Sequence, residues 1–138
     1  MIAAFHATKL VVADLALAEA FYIAIGMTPV SRNIGGEAEV RQSQTWLSAT
    51  GAPGEHVLIV SQFLELAAPP SAGYPGEAWL ALMVDDVDAV AEAAQAAGDA
   101  LVRAGEDRPE HSVRAGLVSD PDGHVIELVG PMQPRDKT

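Results

Sequence analysis

The chain has 138 residues, 49% of them hydrophobic, no cysteine, and a formal net charge of -11 from 8 basic and 19 acidic side chains. That is enough for one soluble domain with a sizeable core, and it excludes disulfides, thiolate metal sites and thiol nucleophiles, so a cytoplasmic location is expected. The few Lys and Arg are scattered, which argues against nucleic acid or an anionic membrane as partner, and no apolar run approaches the roughly 18 residues of a membrane span.

Residues 7 to 12 are rich in β-formers and predict a first strand. Asp14 is a good N-cap for a helix in which Leu15, Ala18, Tyr22 and Ile25 share the apolar face, with Gly26 at its C′ position. Strands are expected near 27 to 32, 40 to 49 and 56 to 64, separated by the turn-rich Asn33 to Gly36 and by Gly51-Ala52-Pro53-Gly54. The stretch Ala67 to Gly76, with Pro69, Pro70 and Pro75, continues neither sheet nor helix and reads as a crossover connection. Beyond it come a strand at 78 to 84 and a helix from Val87 to Ala97, with Val87, Val90, Ala94 and Ala97 on one face and Gly98 as its stop. Strands near 99 to 103, 112 to 119 and 124 to 129 complete the chain.

The order βαβββ therefore occurs twice, and the sequence repeats with it. Shifted by 72, Leu10-Val11-Val12-Ala13-Asp14-Leu15 falls on Leu82-Met83-Val84-Asp85-Asp86-Val87, and Gly26 falls on Gly98. Shifted by 68, His56-Val57-Leu58-Ile59 falls on His124-Val125-Ile126-Glu127. We expect one α+β domain over 1–138: module one at 5–65, the crossover at 66–77, module two at 78–131 and a tail at 132–138. A half of about 65 residues would bury too little surface to be robust alone.

Near the end, Asp120-Pro121-Asp122-Gly123 is a strong turn: Asp120 can bond back to the backbone, Pro121 presets its φ, and Gly123 closes it. Glu127, inside Val125-Ile126-Glu127-Leu128-Val129, needs either a wet face or a partner, because burying an unpaired charge is costly.

Two segments resemble the vicinal oxygen chelate superfamily, which includes glyoxalase I, bleomycin resistance proteins and extradiol dioxygenases. One is Thr8-Lys9-Leu10-Val11-Val12-Ala13-Asp14-Leu15, followed by Ala20-Phe21-Tyr22 and Ile25-Gly26-Met27; the other is Ser119-Asp120-Pro121-Asp122-Gly123-His124-Val125-Ile126-Glu127-Leu128. The resemblance spans residues 6 to about 131 and implies two βαβββ modules in pseudo-two-fold repeat, forming a curved mixed sheet around a concave pocket. It also implies a homodimer.

In metal-using relatives each half supplies two ligands, one from its first strand and one from its last. The places implied here are Ala7, Ile59, Trp79 and Glu127, with Ala7 plus 72 giving Trp79 and Ile59 plus 68 giving Glu127. Glu127 alone among them can coordinate, whereas a catalytic divalent ion normally takes about three protein ligands. No metal or other cofactor is therefore expected. His6, next to Ala7, should turn away by strand alternation toward the helix or solvent. His56 and His124 each follow a turn and are expected as exposed loop histidines; His111 is placed in a loop that can face a pocket.

Alternation puts Ala7, Lys9 and Val11 on one face, so Lys9 is expected in the same cup as Glu127 and Trp79, with Met83 sharing the parity of Trp79. The alternative for Lys9 is an ammonium that snorkels to water. Gln42, Gln44, Trp46 and Ser48 share a face whose direction the repeat leaves open, either a second indole in the cup or a core or interface tryptophan. Gln62 and Phe63 are rim candidates.

The sequence thus predicts a cytoplasmic, homodimeric small-molecule-binding protein. Its ligand-binding residues are Lys9, Trp46, Trp79, Met83 and Glu127, and its guest is an aromatic or cationic compound held without metal. Two enzymatic alternatives stand beside it. One is a lyase, isomerase or dioxygenase with a divalent metal held by Glu127 and residues that the assumed register misses; the other is a metal-free enzyme with Glu127 as general base and Lys9 as partner for an enolate.

Overall fold

A computed structural model of the chain describes residues 1–38, 41–65, 78–98 and 101–133. The chain divides into two compact units, Met1–Gly73 and Tyr74–Thr138. Unit one contains β1 (Ala7–Val11), α1 (Leu15–Ala24), β2 (Thr28–Gly35), β3 (Gln42–Ser48) and β4 (Val57–Phe63). Unit two contains β5 (Leu80–Met83), α2 (Val87–Ala96), β6 (Leu101–Arg108), a 3-10 turn (Pro109–His111), β7 (Val113–Ser119) and β8 (Val125–Gly130). The expected crossover at 66–77, the start of the strand at 99 and the end of the tail at 134–138 lie outside the described residues. No helix among the described residues is long and apolar enough to cross a membrane.

Each unit is a βαβββ module with its own four-stranded mixed sheet, ordered β1-β4-β3-β2 in one and β5-β8-β7-β6 in the other. The first strand of each runs parallel to the last, and the remaining pairs are antiparallel. The repeat extends to register. Lys9 pairs with Ile59, Ile59 with Trp46 and Trp46 with Ser31; Ala81 pairs with Glu127, Glu127 with Leu117 and Leu117 with Arg103. Both edge strands shift register at the same place, between Pro29 and Ser31 and between Leu101 and Arg103, which is where an extra residue bends an edge; β6 shifts once more, between Arg103 and Glu106, where β2 stays in register.

The helices start and stop as their caps dictate. Asp14 accepts from the Leu17 amide at 3.1 Å and Asp86 from the Ala89 amide at 3.1 Å. At the end of α1 the Gly26 amide reaches the Ile23 carbonyl and the Met27 amide the Tyr22 carbonyl, both at 3.0 Å, with Gly26 at φ 115°. That double bond pattern needs a left-handed residue at C′, and Gly98 at φ 126° fills the same place after α2.

The buried face of α1 is Ala18, Phe21, Tyr22 and Ile25, whose rings Phe21 and Tyr22 meet edge to face at 5.1 Å. Leu15, expected on that face, is only half-buried, and Phe21 takes its place in the core. α2 buries Val87, Ala91 and Ala94, with Val90 and Ala97 at the margin. The sheet residues turned to the helices are Leu47, Leu58 and Val60 in unit one and Val118, Ile126 and Leu128 in unit two.

The edge strands are longer than the sequence predicts. β2 continues through the turn-like Asn33-Ile34-Gly35, paired with β3 as far as Gly35 and Gln42. A Cβ on Gly35 would stand 2.5 Å from the Gln44 amide nitrogen, so this glycine makes room for a neighbour and does not make a turn. β6 likewise runs to Arg108, with the Asp88 carboxylate 2.5 Å from where a Cβ of Gly105 would sit. Pairing with a long neighbour outweighs local turn composition at both edges.

Candidate functional site

In unit two the sheet face turned away from α2 forms the wall of a cavity of about 480 Å³. Alternation along β7 and β8 brings Val113, Ala115, Leu117, Glu127 and Val129 to that wall. Trp79, just before β5, flanks it and is 54% exposed. The other rim comes from the long edge strand and the turn that follows: Arg103 and Arg108 of β6, then Glu110 and His111. Glu127 therefore lies on the wet face of its strand, between the buried Ile126 and Leu128.

Of the residues singled out from the sequence, Trp79 and Glu127 meet in this cavity. Met83 shares their face but is 85% exposed and lines a neighbouring depression with Val84, Ser112 and Pro131. His111 does face the pocket. Arg103 and Arg108 were not expected. The repeat could have supplied Arg103, which is Ser31 plus 72, but a strand assumed to end at 103 concealed the other.

Unit one resolves the face of β3. The Lys9 ammonium donates to Gln42 Oε1 at 3.2 Å, and the Ser61 hydroxyl donates to the same oxygen, so Gln42, Gln44, Trp46 and Ser48 share the face of Lys9. Trp46 donates its indole N–H to Gln44 Oε1 at 3.3 Å. His6 departs from expectation: it precedes β1, where alternation no longer governs, and its exposed ring lies edge-on to Trp46 at 5.9 Å. Gln62, a rim candidate, lines a hollow beside α1 and not the face of Lys9. Its Oε1 accepts from the Leu15 amide at 2.8 Å and so satisfies the first turn of α1.

The two equivalent histidines differ. His56 is exposed, stacked on Phe5 at 4.8 Å and bonded through Nε2 to the Thr8 hydroxyl at 2.9 Å. His124 is not an exposed loop residue. Its Nδ1 lies 2.7 Å from Oδ2 of the fully buried Asp120, whose Oδ1 accepts from the amides of Asp122 and His124 at 3.0 and 2.9 Å. The Asp120 hydrogen bond holds the His124 pKa above its ordinary value, against the opposing effect of partial burial.

A family model described as the Glyoxalase/Bleomycin resistance protein/Dioxygenase superfamily matches residues 4–128. The chain belongs to this superfamily. A glyoxalase family protein from Bacillus cereus, APC24694, is 19% identical over 96% of this chain and 97% of its own, with a TM-score of 0.77. A glyoxalase/bleomycin resistance protein from Streptomyces sp. CB03234 is 26% identical over 89% and 96%, with a TM-score of 0.64. SMU.1112c is 22% identical over 94% and 99%, with a TM-score of 0.70. A comparison with curated proteins found no match.

The divalent metal used by some members of the superfamily can be tested against the donors present. The four ligand places hold a methyl group, a buried isoleucine, an indole and a single carboxylate, Glu127. That donor set does not fit a catalytic ion. Among the described residues, three potential ligands converge at Asp120, Asp122 and His124 in the turn before β8. There the Asp120 oxygens already hold two amides and an imidazole, and the cluster locks the turn.

Proposed function

We propose that this chain is a small-molecule-binding protein that sequesters an aromatic guest in the unit-two cavity without a metal. The carrying observation is Glu127 on an apolar wall beside the half-exposed Trp79, while the other three ligand places hold Ala7, Ile59 and the indole itself. The cavity volume falls in the range of about 300–1,000 Å³ usual for small-molecule sites, and an indole face offers stacking. A purely cationic guest fits the chain's net charge better than it fits this cavity, where Arg103 and Arg108 stand with Glu110 and Glu127.

Protein purified without chelator is expected to hold no stoichiometric metal and to gain no thermal stability from Zn²⁺, Ni²⁺, Mn²⁺ or Fe²⁺. In a Trp46→Phe background, Trp79 fluorescence should be quenched by aromatic ligands, and in the chain that keeps Trp46, Trp79→Phe should abolish the ligand-dependent quenching. Stoichiometric metal that disappears in Glu127→Ala would overturn the reading in favour of a metal-dependent enzyme.

One observation favours a second reading, a metal-free enzyme. Among the described residues Glu127 has no hydrogen-bond or ion-pair partner, so its carboxylate is available as a general base, with Arg103 on the same wall for an enolate oxygen. Lys9, the partner suggested by the sequence, is engaged by Gln42 in unit one. Solvent proton exchange into a bound carbonyl compound, lost in Glu127→Gln, would select this reading. We also propose a homodimer, because Trp79 and Met83 leave apolar surface open on unit two, and a cytoplasmic location, for which the cysteine-free composition is the support. Light scattering at tens of micromolar should return twice the chain mass; the single chain mass would refute it.

A further inference from the structure

We infer that the unit-two cavity selects a zwitterion, seating a carboxylate on Arg103 and an ammonium group on Glu127. This rests on the reading of that cavity as the ligand site. The two side chains belong to one row across the sheet, since Arg103 pairs with Leu117 and Leu117 with Glu127. Neighbouring strands lie about 4.8 Å apart, so two strand spacings separate the charged residues by roughly 10 Å at Cα. The Leu117 side chain forms an apolar floor between them, and all three line the cavity.

The arginines of unit two are not equivalent. Arg114 is held by Asp88 and Asp107, each at 3.1 Å, and Arg108 stands 3.6 Å from Glu106. Among the described residues Arg103 has no such partner, and neither does Glu127. A guanidinium with its fork unused is suited to a bidentate carboxylate, and a carboxylate on an apolar wall is suited to an ammonium group. A ligand with one charge gains at one end and leaves the other wall charge unmatched. A ligand with both gains twice, in a partly enclosed space where charges interact more strongly than in open water. The separation across Leu117 favours charges divided by an aromatic spacer over the adjacent charges of an α-amino acid. Trp79 supplies the stacking surface for that spacer.

The test uses Trp79 fluorescence of the full chain in the Trp46→Phe background with four related probes and, as a fifth for comparison, L-phenylalanine. The four are 4-(2-aminoethyl)benzoic acid, its methyl ester, 4-ethylbenzoic acid, and methyl 4-ethylbenzoate. The zwitterionic acid is expected to bind at least tenfold more tightly than either singly charged probe, and more tightly than L-phenylalanine. Arg103→Gln should erase its advantage over the amino ester, and Glu127→Gln its advantage over 4-ethylbenzoic acid, each variant keeping a native circular-dichroism spectrum. Equal binding of the zwitterion and the neutral ester overturns the zwitterion inference and leaves the cavity as a ligand site. Silence from all four probes, the neutral one included, overturns the cavity reading as well.

Discussion

Unit one and unit two share strand order, the pairing of their central strands, caps and the position of one edge bulge, yet they carry different chemistry on the same frame. The row across the first sheet reads Lys9, Ile59, Trp46, Ser31; across the second it reads Ala81, Glu127, Leu117, Arg103. The cation has moved from one edge strand to the other, and a central isoleucine has become a carboxylate. The cores differ as well: Phe21 and Tyr22 of α1 correspond to Ala93 and Ala94 of α2. What the repeat retains is backbone instruction, and what distinguishes the units is side-chain substitution at positions the backbone leaves open.

The sharpest way to break this comparison is through the core. If unit one depends on its rings, Phe21→Ala, at a side chain with no exposure, should cost about 3–5 kcal/mol, read as a lower urea midpoint. A loss under about 1 kcal/mol would mean that the core collapses readily around the gap, and the contrast between an aromatic and an alanine helix would lose its energetic meaning.

Helix ends were legible because each is set by one residue in a fixed role, Asp14 and Gly26 or Asp86 and Gly98. The parity of β8, and with it Glu127 and Trp79 in one cavity, was legible because one buried face alternates with one open face. The edge strands were not, because Gly35 reads as a turn residue, and the segment after 103 as a connection, until the side chains at the missing Cβ positions of Gly35 and Gly105 are known. The same error concealed Arg108. The face of β3 stayed open until Gln42 was seen to bond Lys9 and Ser61, a contact between residues far apart in sequence. His6, Gln62 and His124 were misplaced for a related reason: each takes its position from a partner, Trp46, the Leu15 amide or Asp120, that no local pattern announces.

Titration separates the units further, with opposite signs. In unit two the folded-state pKa of His124 is raised, chiefly by its hydrogen bond to Asp120. Its contribution is therefore fully present below the unfolded value of about 6.5 and is lost as pH rises through the folded value. The loss is partial, because a neutral imidazole still donates from Nδ1 to the carboxylate. His124→Gln should lower stability by about 1 kcal/mol at pH 5.5 and by less at pH 8.5, discounted for an imidazole more than a quarter exposed. In unit one the pKa of Glu19 is lowered, first by its hydrogen bond to Arg32 and further by the Thr45 hydroxyl at 2.6 Å. That contribution is present above the ordinary carboxylate value near 4.5 and is lost as pH falls through the folded value. Glu19→Gln should accordingly lower the melting temperature by a constant amount from about pH 5 upward, the alkaline side included, with the deficit vanishing as pH falls, so that the acid limb is flattened. The smaller effect is expected here, since Arg32 is largely exposed and its pairing is screened by water. Should the Glu19→Gln deficit grow as pH falls below 4.5, or the His124→Gln deficit grow as pH rises above 6.5, the assignment of the acid-sensitive tie to unit one and the base-sensitive tie to unit two would be overturned.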